Sequence, residues 1–83
     1  MGNSKRETIA REKINFMIIE YLTEERLKVG LKPYNIKEIN KFIKRNQDKI
    51  EEGLCVIVNE MNEENSDEPC SEWIAEYIST TFD

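Results

Sequence analysis

An all-α fold is predicted for this chain of 83 residues: a carboxy-terminal helical hairpin preceded by additional amino-terminal helices. Three observations carry that prediction. Apolar residues recur three or four positions apart in each long segment, the spacing that gathers side chains on one helical face. Three glycines and two prolines are few, and no segment reads as a run of strands. Residues suited to helix ends stand between the periodic segments.

Residues 1–6 are polar and read as a flexible amino terminus. Gly2 invites comparison with myristoylated chains, but Arg6 stands where that motif takes Ser or Thr. From Glu7 the pattern is helical. Ala10, Ile14, Met17, Ile18, Tyr21 and Leu22 share one broad face, and Ile9, Phe16 and Ile19 form a second patch. Gly30 suits a left-handed cap and Pro33 prevents continuation, so this helix is expected to end near Gly30. Asn35 and Glu38 have capping-box spacing ahead of a second stripe, Ile36, Ile39, Phe42 and Ile43. The polar run Lys44 to Lys49 interrupts it. Either one helix continues from Ile36 to about Met61, or the chain breaks and restarts at Asp48 with Glu51 completing a cap.

The most informative segment follows. Ile50, Leu54, Ile57 and Met61 lie four, three and four positions apart and share a narrow face, with Val58 on its flank. Cys55 and Val56 point away from it, so Leu54 to Val58 is apolar on nearly all sides, and such a helix is normally buried all round. After an acidic stretch, Trp73, Ile74, Tyr77 and Ile78 form the stripe of a second helix. A lone hairpin could not cover that much apolar surface. A compact monomer with an ordinary core hairpin is the bland alternative, but the excess favours association with another chain. Gly53 adds to this: a helical glycine costs about 1 kcal/mol relative to alanine, which implies close approach of another backbone.

These residues also resemble a known family. Ile50, Gly53, Leu54, Val56, Ile57 and Glu60, followed by the run Glu72-Trp73-Ile74-Ala75-Glu76-Tyr77-Ile78, are similar to the Dpy-30 motif, with Phe42 at its upstream apolar position. That family is related to the docking-and-dimerisation (RIIa) domain of the kinase A regulatory subunit. The resemblance implies a hairpin spanning residues 42–80, with residues 7–41 as a helical extension. It implies a homodimer crossed as an X-type four-helix bundle. The first helices would line a groove for an amphipathic helix of a partner protein, here at Ile50, Leu54 and Val58. Ile14 to Leu22 also resembles, over a short span, the LisH dimerisation motif.

Charge is strongly asymmetric. All 12 basic residues lie between Lys5 and Lys49, whereas residues 51–83 hold 10 acidic residues and no base. The acidic end repels phosphates, which argues against nucleic-acid binding by the hairpin, and would orient a basic partner helix. Histidine is absent, removing the usual general base and commonest transition-metal ligand. The three glycines are isolated and form no phosphate loop. A calcium loop starting at Asn62 or Glu63 would place Trp73 or Ile74 where a bidentate carboxylate is required. Cys55 and Cys70 are read as reduced thiols. Neither a membrane span nor a signal-peptide core is read.

The functional expectation is a non-catalytic, intracellular scaffold, cytoplasmic, ciliary or nuclear, that uses no cofactor, metal or small-molecule substrate. Its association residues are Ile50, Gly53, Leu54, Ile57, Val58, Trp73, Ile74, Tyr77 and Ile78, serving homodimerisation and partner docking. A small helical inhibitor that masks a partner's surface is the alternative.

Overall fold

The computed structural model describes residues 3–82, which form four helices and, among those residues, no strand. They are α1 (Asn3–Lys28), α2 (Ile36–Arg45), α3 (Gln47–Glu63) and α4 (Ser71–Phe82). A helix of 26 residues is about 39 Å long, and α1 accordingly forms the spine of a molecule whose longest dimension is 42 Å.

Helix α1 starts at Asn3 rather than at Glu7, so the expected flexible stretch is largely helical; Met1 and Gly2 lie outside the described residues. The reason is visible at Arg6. Its guanidinium donates to Asn62 Oδ1 (2.8 Å), Asp67 Oδ1 (3.0 Å) and Asn65 Oδ1 (3.1 Å), fastening the first turns of α1 to the α3–α4 connection. Five residues on, Arg11 meets the Glu51 carboxylate in a bidentate pair at 2.5 and 3.2 Å. Arg6 beside Asn62 and Arg11 beside Glu51 mean that α1 and α3 run antiparallel. The Arg11 hydrogen bonds hold the Glu51 carboxyl below its ordinary pKa and raise that of the guanidinium.

The end of α1 follows the expected chemistry. Leu31 N–H donates to Arg26 O (3.0 Å) and Gly30 N–H to Leu27 O (3.1 Å), closing a Schellman cap around Gly30 at φ +76°. The Asn35 capping box forms as its spacing predicts: Glu38 N–H donates to Asn35 Oδ1 (2.9 Å), and Asn35 N–H to Glu38 Oε1 (3.4 Å). The open question about the next segment is settled in favour of a break. It falls at Asn46, whose amide donates to Phe42 O at 2.9 Å and whose carbonyl accepts from Ile50 N–H at 3.0 Å. Helix α3 therefore resumes at Gln47, and no Asp48–Glu51 capping box opens it. At its far end α3 closes with a second Schellman cap. Asn65 takes the left-handed conformation (φ 51°), and Ser66 N–H reaches Met61 O at 2.9 Å.

One core holds α1, α3 and α4 together. Ala10, Ile14, Ile18 and Leu22 of α1 pack with Ile50, Leu54, Ile57, Val58 and Met61 of α3 and with Ile74 and Ile78 of α4. Ile14, Ile18, Ile57, Met61 and Ile74 are fully enclosed, and burying each such side chain is worth about 1.5–3 kcal/mol. Short α2 closes one end: Phe42 and Ile43 lie against the core, and the Phe42 and Phe82 rings meet at 5.3 Å. Among the described residues, no helix is long and apolar enough to cross a membrane.

This arrangement alters the central expectation drawn from the sequence. The Ile50–Met61 stripe of the hairpin is covered within the chain, by the Ala10–Leu22 face of α1, whereas Cys55 and Val56 stay exposed. The X-type bundle of two hairpins is not the architecture of this single chain, in which three helices share the core and α2 caps it.

Candidate functional site

The residues expected to serve association divide into two sets. Ile50, Leu54 and Val58 are buried, at 3%, 3% and 9% exposure, with the α1 face against them. Leu54 and Val58 also line a small open pocket of about 220 Å³ with Glu7, Glu51, Cys55 and Asn59. Ile57, Ile74 and Ile78 are likewise core residues. Trp73 and Tyr77 are different: both are half-buried and pack on the rim of the core rather than inside it.

Gly53 explains part of that geometry. It is buried, and its close neighbour is the Tyr77 ring, not a second backbone. A Cβ at position 53 would overlap Cε2 and Cζ of that ring. The Tyr77 hydroxyl donates to the carbonyl of Lys49, one helical turn before Gly53. The glycine thus makes a notch in α3 that seats the Tyr77 ring across the hairpin.

Beside that ring, on the side of the hairpin away from α1, lies an open groove of about 360 Å³. Its floor is apolar, from Val56, Ile57, Trp73 and Tyr77. Glu60, Glu76, Thr80 and Thr81 complete its lining. Val56 is 50% exposed. The sequence signal for this site was Val56 itself, an apolar residue off the Ile50–Met61 stripe. Glu60, Glu76, Thr80 and Thr81 carried no signal, since solvated polar residues look alike in sequence.

The groove contains no histidine or thiol, and its ionisable groups apart from the Tyr77 phenol are the two glutamates. Cys55 and Cys70 are both free, Cys55 exposed and Cys70 half-buried. Among the described residues, no three of His, Cys, Asp and Glu are grouped so as to hold a metal ion. What the arrangement offers chemically is apolar contact, two aromatic rings and negative charge. Comparison of the chain with protein-family models, with curated proteins and with solved structures found no match.

Proposed function

We propose that this chain is a non-catalytic protein-docking module whose α3–α4 groove holds an amphipathic, basic helix of a partner protein. The observation that carries this reading is the open groove in which exposed Val56 lies beside half-buried Trp73 and Tyr77. Aromatic anchors in a shallow apolar trough are the side chains that dominate helix-in-groove recognition. The sign of the partner's charge follows from the lining: Glu60 and Glu76 belong to it, within a half-chain that carries ten acidic residues and no base. The likeness of Glu72 to Ile78 to the Dpy-30 motif supports the same class of function. Self-association through this face is the competing reading. It would set like charges opposite one another.

Trp73 is the sole tryptophan, so its emission reports on the groove directly. Titration with a leucine–lysine amphipathic peptide of about five turns is expected to shift Trp73 emission to the blue and saturate at one peptide per chain. A leucine–glutamate peptide of the same pattern should leave it unchanged. Val56→Glu separates docking from simple charge attraction: added negative charge would tighten non-specific binding of a cationic peptide, whereas a blocked trough weakens it. Loss of at least about tenfold in affinity is expected, the scale of one buried aliphatic side chain. Binding that is unchanged or tighter in Val56→Glu would overturn the assignment.

A further inference from the structure

We propose that the turn between α1 and α2 is a contact surface for an anionic lipid bilayer, independent of the hairpin groove. The turn projects four large aliphatic side chains into solvent: Leu27 (57% exposed), Val29 (69%), Leu31 (48%) and Ile36 (67%). Lysines interleave with them at positions 28, 32 and 37, all exposed, and Lys28 reaches Glu25 at 3.8 Å. Residues 26–45 together hold seven basic residues and one acidic residue.

The turn is held in shape rather than free to collapse. Arg26 donates from Nε to the carbonyl of Lys32 at 2.8 Å, and its guanidinium lies over the Tyr34 ring at 4.6 Å. The Schellman cap at Gly30 fixes the backbone between them. The aliphatic groups are therefore presented outward at little further cost in conformational freedom. Position supports the same occupant. Arg6, near the start of α1, bonds the α3–α4 connection, so the turn and the acidic stretch Glu63, Glu64, Asp67 and Glu68 lie toward opposite ends of the long axis. With the turn on an anionic surface, that acidic stretch faces solution.

Charge alone would suit nucleic acid or an acidic protein. Aliphatic side chains argue against nucleic acid, because they gain nothing against its phosphates in water. At the headgroup–acyl boundary of a bilayer both kinds of side chain are satisfied: the aliphatic tips enter the acyl layer, and lysine stems extend to the phosphates. Each lysine near an anionic surface contributes roughly a fivefold gain in binding.

The test is co-sedimentation of the full chain with vesicles of phosphatidylcholine alone and of phosphatidylcholine mixed with phosphatidylserine, at low and physiological ionic strength. Pelleting is expected with the anionic vesicles and not the neutral ones, and should weaken as salt rises. Lys32→Gln and Lys37→Gln should each cost about fivefold, and Leu31→Asp at least about tenfold. Far-UV circular dichroism should show unchanged helicity in each, since all three side chains are exposed. Absence of binding to anionic vesicles at low salt, or binding unaffected by Leu31→Asp, would overturn the proposal. So would lysine-dependent binding to single-stranded RNA without binding to vesicles, which would assign the turn to nucleic acid.

Discussion

Ile14→Ala is expected to destabilise the chain by about 2–5 kcal/mol, the range for removing a fully buried aliphatic side chain. Ile14 has no exposed surface and sits in the middle of α1, in the core that joins α1 to both helices of the hairpin. A domain of this size has a total stability of about 5–15 kcal/mol, so the substitution removes a large share of it. Since 1 kcal/mol shifts the midpoint by roughly 4–8 °C in a domain of 60–100 residues, thermal unfolding should fall by at least about 8 °C. Circular dichroism melting checks this. The effect also discriminates between architectures. If α1 were an accessory extension beside a self-sufficient hairpin, Ile14→Ala would leave the hairpin's melting transition in place.

The second large effect is expected at the Gly53 notch. Gly53→Leu gains about 1 kcal/mol of helix propensity but drives a side chain into the Tyr77 ring. Overpacking of that kind costs about 1–3 kcal/mol. The ring is half-buried and at the end of its side chain, so the expected response is that Tyr77 swings outward and loses its hydrogen bond to Lys49 O. Stability should then fall in Gly53→Leu, and Tyr77→Ala should fall as well. The double variant should be less destabilised than the sum, because with the ring gone the leucine has room. Denaturant unfolding of all four proteins gives the coupling. Additive effects would mean that position 53 and the ring do not share one space. Peptide docking in the groove is expected to weaken in Gly53→Leu, since Tyr77 is one of its walls.

The end of α1 and the start of α2 were legible because each is set by local chemistry. Gly30 and Asn35 terminate and start helices through bonds to residues within five positions. The face Ala10, Ile14, Ile18 and Leu22 follows from periodicity alone. The break at Asn46 was open because Lys44 to Lys49 is compatible with a solvated helix, and the departure lies in the backbone of a single residue, Asn46, at φ −106° and ψ 20°. Tertiary pairing was the part that periodicity does not encode. The stripes of α1 and of α3 each looked in excess, and the excess of one is the cover of the other. Ile50, Leu54 and Val58, expected to face a partner chain, share one core with the α1 face. Arg6 was read as part of a polar tail because its acceptors, Asn62, Asn65 and Asp67, are more than fifty residues away. The candidate groove was half legible: Trp73 and Tyr77 stood out as aromatics at helical spacing, and Val56 as an apolar residue off the stripe. Leu27, Val29 and Leu31 did not, since they are interleaved with Lys28 and Gly30 in a segment that reads as a helix end.

In this fold α1 packs on the hairpin within one chain, and half-buried Trp73 lines the open groove. Sedimentation equilibrium combined with acrylamide quenching of Trp73 tests this most directly. The expected result is a folded species of 9.8 kDa across the micromolar range, with Trp73 accessible to quencher and protected once the leucine–lysine peptide is bound. A stable dimer with Trp73 shielded in the absence of any peptide would contradict it, and would return the aromatic face to self-association.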